Sequence, residues 1–180
     1  MRLFVAATFE EDLSKQLEPI STALKRLGLD ARFPESGQTH LTLKFLGETN
    51  KEKLQVIANV LKGLASQQQP FNVEFNGVIA LPKPEFISVI AVKSDSKRLI
   101  KLMEKLNNNL RGKKEKNLLP HVTIARISSS RNKAELIEFI KKREDKEISK
   151  NKIIGFSLFK STLTKEGPIH EKIADFLFPT

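Results

Sequence analysis

The stretches His40-Leu41-Thr42-Leu43 and His121-Val122-Thr123-Ile124 share the pattern H-x-T and lie 81 positions apart. Side chains alternate along a β-strand, so each stretch predicts a strand whose histidine and threonine share one face. The apolar residues between them then face the other side and pack against helices. The chain has only three histidines, and two of them are followed by threonine at the second position. Composition alone rarely produces such a pair, so the two polar faces are predicted to act together.

The segments around these motifs repeat as well. The order strand, helix, H-x-T strand, helix, strand is predicted in residues 2–81 and again from residue 86 to 163, with a last strand ending at 178. This pattern predicts an α+β fold with two pseudo-symmetric lobes, each an antiparallel sheet with helices packed on its outside, around a central cleft. No stretch has the composition of a linker, so a single domain over residues 1–180 is predicted.

Hydrophobic spacing gives the individual elements. Helices are predicted to begin after the acidic cluster at 10–12, at a T-x-x-E capping box formed by Thr49 and Glu52, and near residues 95 and 132. Strands are predicted to cover 2–8, 40–47, 71–81, 86–92, 121–127, 152–163 and 171–178. With these boundaries, His170 falls in a Gly-Pro loop before the last strand. Strict alternation further predicts that Lys44 shares the face of His40, that Phe45 lies on the opposite face, and that Arg126 lies opposite His121.

Composition limits the function. The net charge is +10 and the isoelectric point is about 9.8, which favours a polyanionic partner such as nucleic acid, although a solubilising surface has the same composition. Twelve phenylalanines occur without tyrosine or tryptophan, mostly in strand-like runs, and are predicted to form core rather than a base-stacking surface. The absence of cysteine excludes disulfides, thiolate metal sites and a cysteine nucleophile. No apolar run approaches about 18 residues, and the N-terminus is typical of a strand rather than a signal peptide, so a cytoplasmic protein is expected.

The fuller strings THLTLKFLGE (39–48) and LPHVTIARI (119–127) resemble the two-histidine phosphoesterase superfamily, in particular its RNA 2′,3′-cyclic phosphodiesterase branch, historically named 2′-5′ RNA ligase. The opening RLFVAATF and the tail STLTKEGPIHEKIADFLF fit the same branch, so the resemblance spans nearly the whole chain. Two residues depart from it, Phe33 where tryptophan is frequent and His170 where tyrosine is common.

The resemblance implies that His40 is the proton donor and His121 the proton acceptor in opening a 2′,3′-cyclic phosphate at an RNA end to a 2′-phosphate. It also implies that Thr42 and Thr123 bind the phosphate, with no cofactor, no membrane and a monomeric protein. The residues agree with this chemistry, because imidazoles serve as acid and base near neutral pH and hydroxyls donate to phosphate oxygens. From the residues alone, the order of the two histidines stays open.

Further residues are candidates for contacts with the substrate. Arg126 and His170 are candidate substrate-binding residues, with a structural ion pair and a solvated loop histidine as the respective alternatives. The run from Lys113 to Lys116 contains three lysines that suit an RNA backbone but equally suit a solvated turn, and Lys44 is expected to reach water. No metal is predicted, because the histidines have no Asp or Glu at a recognisable ligand spacing.

Three other functions remain open from the sequence. The first is ATP-independent 2′-5′ RNA ligation, the same reaction in reverse with an RNA hydroxyl in place of water; no P-loop motif for an ATP-driven ligase occurs. The second is a non-catalytic module that binds RNA ends. The third is hydrolysis of a small cyclic phosphate instead of an RNA end.

Overall fold

The computed structural model describes residues 1–35, 37–112, 114–165 and 167–180. The elements follow one another along the chain as β1 (Arg2–Phe9), α1 (Leu13–Lys25), β2 (Ala31–Arg32), β3 (Thr42–Glu48), α2 (Leu54–Ala65), β4 (Phe71–Asn76), β5 (Val78–Lys83), β6 (Phe86–Lys93), α3 (Lys97–Asn109), β7 (His121–Ile127), α4 (Lys133–Lys141), β8 (Glu147–Thr164) and β9 (Gly167–Leu177). The predicted capping box of Thr49 and Glu52 is wrong: the Thr49 hydroxyl donates to the Gly47 carbonyl, and a short 3-10 turn, Lys51–Lys53, precedes α2.

The strands form two antiparallel sheets. The first sheet has the order β3-β1-β8-β4, and the second has the order β2-β7-β6-β5. The 18-residue strand β8 organises the first sheet: one of its edges pairs with β1, and the other pairs with β4 and then with β9. The predicted α+β fold with two antiparallel sheets is therefore confirmed.

Each sheet combines strands from both halves of the sequence. The first sheet takes β1, β3 and β4 from the first half and β8 and β9 from the second, while the second sheet takes β2 and β5 from the first half and β6 and β7 from the second. Each sheet nevertheless carries one H-x-T motif, on β7 in the second sheet and at the start of β3 in the first. The internal repeat in the sequence thus does not assign one half to one sheet.

Helices cover the sheets because each has one apolar stripe. Helix α1 begins at the N-cap Asp12, whose carboxylate accepts from the Ser14 amide, and it contacts β7 and β8. Helices α2 and α3 contact strands of the first sheet, and α4 contacts β5 of the second. The buried stripes merge with the sheets into one apolar core that includes Leu3, Leu24, Leu99 and Leu136.

Candidate active site

The two sheets meet where the H-x-T motifs lie. Leu41 and Val122, both fully buried, form an isolated antiparallel bridge between the sheets. In an antiparallel register the neighbours of a bridged pair face each other, so Thr42 lies across from His121 and His40 lies across from Thr123. All four side chains are therefore on the face opposite the core. The structure brings the two predicted polar faces together.

One boundary differs from the prediction. Strand β3 begins at Thr42, so His40 precedes the strand instead of opening it. The bridge at Leu41 still holds the local chain extended, and the Leu41 carbonyl accepts from the Ala7 amide at 2.9 Å. The position of His40 is thus fixed from both sheets.

The two histidine rings are anchored in the same way. The Nδ1 atom of His40 lies 2.7 Å from the Gln38 carbonyl oxygen, and the Nδ1 atom of His121 lies 2.7 Å from the Leu119 carbonyl oxygen. A carbonyl oxygen only accepts, so each Nδ1 carries the hydrogen and donates it. The Nε2 atom is then the nitrogen that gains or loses a proton in each ring.

The charge state of His40 is governed by its surroundings. Burial lowers the pKa of His40, the hydrogen bond to the Gln38 carbonyl acts in the opposite direction, and the positive charge of Arg126 adds to the lowering. The neutral imidazole is therefore favoured while no anion is bound. An anion bound beside Arg126 would offset its positive charge and would therefore raise the pKa of His40.

His170 joins this group through an aromatic cluster that the sequence did not indicate. The ring of Phe4 lies 5.0 Å from that of His40, 4.9 Å from that of His170 and 5.2 Å from that of Phe159, measured between centroids. His170 and His40 meet edge to face at 5.0 Å. Phe4 and Phe159 occur in ordinary apolar runs, and only the pairing of β1 with β8 brings them together.

The predicted loop position of His170 is wrong. The residue lies inside β9, directly opposite Ser161 of β8, because the hairpin between these strands begins its pairing at Gly167. Burial lowers the pKa of His170, and the charges of His40 and Arg126 lower it further. Its Nδ1 atom is buried and has no hydrogen-bond partner in the part of the chain that the structure describes.

The side chain of Arg126 also lies on a different face of the strand from the one predicted. Ala91 pairs with Thr123 and the adjacent Ile90 pairs with Ala125, so β7 carries one extra residue, Ile124. This β-bulge reverses the alternation, and Ile124 and Ala125 are both buried. Arg126 consequently lies on the face of His121 and Thr123 rather than opposite them. No Asp or Glu oxygen lies within 4 Å of its guanidinium in residues 1–35, 37–112, 114–165 and 167–180, so the alternative of a structural ion pair finds no support there.

A β-bulge in β3 likewise reverses the faces on which two side chains lie, compared with the prediction. Val5 pairs with Lys44 and Ala6 pairs with Thr42, which leaves an extra residue at Leu43. Lys44, predicted to share the His40 face and reach water, is instead buried on the core side, and its Nζ donates to Asn107 Oδ1 at 2.6 Å. Phe45, predicted for the core side, is 52% exposed and lies 6.2 Å from the Phe4 ring.

The basic run before the second motif is described only in part. Lys114 and Lys116 are exposed, whereas Lys113 lies outside the described residues. The Glu115 carbonyl between them accepts from Asn107 Nδ2 at 3.2 Å, which ties this segment to α3. A contact of these lysines with RNA stays a prediction.

Clusters of metal-binding side chains and membrane-spanning helices are absent from the residues that the structure describes. Outside Ser36, Lys113 and Glu166, no group of three or more His, Cys, Asp or Glu side chains is arranged to hold a metal ion. Over the same residues, none of the helices has the length and apolar character that crossing a membrane would require.

Two antiparallel sheets that each carry an H-x-T motif define a two-histidine phosphoesterase, and comparison with known proteins gives the family. The chain belongs to the 2′-5′ RNA ligase superfamily, whose family profile matches residues 9–153. An RNA 2′,3′-cyclic phosphodiesterase of Methanocaldococcus jannaschii is 31% identical over 98% of this chain and 100% of that protein. One of Archaeoglobus fulgidus is 32% identical over 98% of this chain and 99% of that protein.

Solved structures agree on the fold. The protein TT0787 of Thermus thermophilus superposes with a TM-score of 0.81 at 23% identity, covering 99% of this chain and 98% of its own. E. coli LigT complexed with 3′-AMP gives a TM-score of 0.72 at 18% identity, with the same coverage. At these identities the likeness establishes the architecture.

Proposed function

We propose that this protein hydrolyses the 2′,3′-cyclic phosphodiester at the end of an RNA to a 2′-phosphate, without a metal ion. The observation that carries the proposal is the pair of histidines whose Nδ1 atoms are anchored alike, each across from a threonine of the other motif. This arrangement offers two Nε2 atoms and two hydroxyls on one face. The names of the relatives in Methanocaldococcus jannaschii and Archaeoglobus fulgidus support the substrate.

The proposed reaction needs only these groups. His121 Nε2 accepts a proton from water, whose oxygen attacks phosphorus and forms the new P–O bond. The bond from phosphorus to the 3′ oxygen breaks, and His40 Nε2 donates its proton to that oxygen. The Thr42 and Thr123 hydroxyls donate hydrogen bonds to the non-bridging oxygens, where negative charge is held in the transition state.

This assignment requires His40 to be protonated when substrate is bound. Burial and Arg126 lower its pKa in the free protein. The negative phosphate offsets the charge of Arg126 and raises the pKa of His40, so substrate binding itself charges the proton donor.

Since all of these groups come from one chain, we propose that the enzyme acts as a monomer. We further propose that it acts in the cytoplasm.

The test is turnover of an oligoribonucleotide ending in a 2′,3′-cyclic phosphate by His40→Gln and His121→Gln. Each substitution is expected to lower kcat about 10²- to 10⁴-fold, the usual contribution of one acid or base. The exposed Lys62 on α2, changed to Gln, is the control and is expected to behave as wild type. Product analysis is expected to give a 2′-phosphate. Near wild-type turnover in either histidine variant contradicts the proposal.

Ligation is the second candidate, because the family to which the chain belongs is described as a 2′-5′ RNA ligase superfamily. In this reaction an RNA hydroxyl takes the place of water. Matched RNA halves, one with a cyclic phosphate end and one with a free 5′ hydroxyl, are incubated with and without ATP. If the joined product forms without ATP, and faster than the hydrolysed RNA end, the result favours ligation.

A non-catalytic binding module is the remaining alternative. It is favoured if the wild-type protein shows no turnover and if oligonucleotide binding survives substitution of both histidines.

A further inference from the structure

Helix α3 and the loop that follows it concentrate the positive charge of the chain. Residues 97–116 contain eight Lys and Arg residues and only two Asp and Glu residues, so they carry +6 of the net charge of +10. Arg98 is engaged elsewhere, because its guanidinium packs on the Phe71 ring and donates to the Gln69 carbonyl. Six of the other basic side chains are exposed and form a surface that we call the basic surface: Lys97, Lys101, Lys105, Arg111, Lys114 and Lys116.

The basic surface has no protein counterion among the residues that the structure describes. None of its six side chains lies within 4 Å of a carboxylate oxygen there. Of the two acidic residues in the segment, Glu115 acts on the buried Lys44: burial lowers the pKa of Lys44, and the charge of Glu115 raises it. Elsewhere on the surface, in contrast, six lysines are ion-paired, at positions 93, 142, 150, 152, 160 and 172.

Three of these lysines repeat at every fourth position of α3. Lys97, Lys101 and Lys105 form a row on the exposed side of the helix, with an axial rise of about 6 Å between neighbours. Like charges at this spacing repel and destabilise a helix, so the row is favourable only when anions lie along it. Since the row is about 12 Å long, one small anion cannot bridge it. A nucleic-acid strand, with a phosphate at every nucleotide, can.

The loop after α3 lies at the rim of the candidate active site. The backbone of Gly112 packs directly on β3, since a Cβ atom there would lie 2.7 Å from the Phe45 carbonyl oxygen. The ring of Phe45 lies 6.2 Å from that of Phe4, which in turn packs on His40. The loop lysines are therefore the part of the basic surface that follows this rim.

The other end of the segment is fixed beside the second motif. The Ser94 amide, just before α3, donates to the Pro120 carbonyl at 2.9 Å, and Pro120 precedes His121. Helix α3 and its loop thus leave the second sheet and return to it next to the candidate catalytic histidine. The basic surface is continuous with the site and does not belong to a remote part of the molecule.

We propose that the basic surface binds the phosphate backbone of the substrate RNA on the 5′ side of its 2′,3′-cyclic end. The proposal rests on the proposed function and specifies the substrate further: an RNA chain of many nucleotides is preferred, and a short one leaves most of the surface unused. Contacts with phosphates carry no sequence information, so the surface suits an enzyme that acts on RNA ends of different sequence.

The test compares two RNAs that end in a 2′,3′-cyclic phosphate, a dinucleotide and a single strand of 16 nucleotides. The surface variant replaces four lysines: Lys101→Gln, Lys105→Gln, Lys114→Gln and Lys116→Gln. It is expected to raise KM for the longer RNA about tenfold or more, and to leave KM and kcat for the dinucleotide within about twofold of wild type. The slope of log(1/KM) against log salt concentration is expected to fall by about 0.7 for each phosphate contact that is lost.

A control variant separates the position of the charges from their number. It removes four charges at exposed lysines outside the basic surface, by Lys53→Gln, Lys83→Gln, Lys141→Gln and Lys146→Gln. Because all eight lysines are exposed, both variants are expected to fold. The control is expected to change KM for the longer RNA by less than about threefold. Unchanged KM in the surface variant, an equal loss in the control, or an equal loss on the dinucleotide overturns the proposal.

Binding distinguishes this proposal from the proposed function. Fluorescence anisotropy with the 16-nucleotide RNA is measured on the His40→Gln/His121→Gln variant, with and without the four substitutions of the surface variant. A wild type that turns over neither RNA contradicts the proposed function, yet a loss of affinity in the surface variant would still support the binding surface. Equal affinity overturns it even if turnover is normal. Unchanged RNA binding together with lost binding to phosphatidylserine vesicles would assign the surface to lipid and likewise overturn the proposal.

Discussion

The imidazole rings of His40 and His170 meet edge to face, 5.0 Å apart between centroids, and both pack on the ring of Phe4. The two histidines come from opposite ends of the chain, one before β3 and the other in β9. Their contact places two titratable groups in a partly buried setting near Arg126, which lowers the pKa of both. The charged state of either ring is therefore disfavoured in the free protein.

This contact predicts that acid destabilises the fold at mildly acidic pH. Histidine in the unfolded chain takes up a proton near pH 6.5, whereas the lowered pKa values keep His40 and His170 neutral to a lower pH. The unfolded state then binds more protons, so the free energy of unfolding falls as pH drops through about 6.5 and is unaffected well above it. Urea unfolding at pH 7.5 and 5.5 measures the fall, and His170→Gln is expected to reduce it. Stability that rises on acidification over this range contradicts the prediction.

The buried pair of Lys44 and Asn107 is predicted to stabilise the junction between β3 and α3. Asn107→Leu removes one acceptor from a buried ammonium and is expected to cost roughly 2–4 kcal/mol of unfolding free energy. Lys44→Met/Asn107→Leu removes both polar groups and is expected to recover much of that loss. Urea unfolding of the two single variants and the double variant gives the coupling energy. A double variant whose loss equals the sum of the single losses would show that the two side chains act independently.

The threonines are predicted to act on the phosphate. Thr42→Val and Thr123→Val keep the branched shape but remove the donor, and each is expected to lower turnover about 10²-fold, as loss of one oxyanion-type hydrogen bond does. Thr162→Val, at an exposed position of β8, is the matched control and is expected to leave turnover unchanged. Melting temperatures are recorded for all three. Unchanged turnover in both motif variants removes the threonines from the mechanism.

Turnover is predicted to persist in excess chelator. The proposed chemistry uses imidazoles and hydroxyls, and none of its steps needs a Lewis acid. Activity on the cyclic-ended oligonucleotide is measured after dialysis against EDTA and again after Mg²⁺, Mn²⁺ or Zn²⁺ is added. Loss of activity on chelation, with recovery on adding one of these ions, is incompatible with the two-histidine scheme.

A bell-shaped pH dependence of kcat/KM is predicted, because one histidine must be neutral while the other is protonated. His40→Gln and His121→Gln are each expected to remove one limb of the bell from the residual activity. The rate is followed from pH 5 to 9 at constant ionic strength. A wild-type rate that rises steadily to alkaline pH would instead indicate attack by hydroxide without an essential acid.

The α+β fold and the two H-x-T motifs could both be predicted from local patterns in the sequence. Hydrophobic periodicity is a local property, and the strands around His121 and the helices at 13–25 and 97–109 follow from it within a few residues. The pairing of the motifs was also predictable, since two histidines with the same neighbours in a repeated order indicate equivalent positions.

Strand pairing, in contrast, determines which further side chains lie on the same face as the two motifs. The extra residue Leu43 in β3 and the extra residue Ile124 in β7 reverse the alternation, moving Lys44 into the core and Arg126 to the face of His121. A bulge is set by how two strands pair, so the alternation within either strand does not reveal it. His170 likewise reaches this face only through the pairing of β9 with β8, because contacts between residues far apart in the chain depend on the register of the whole sheet.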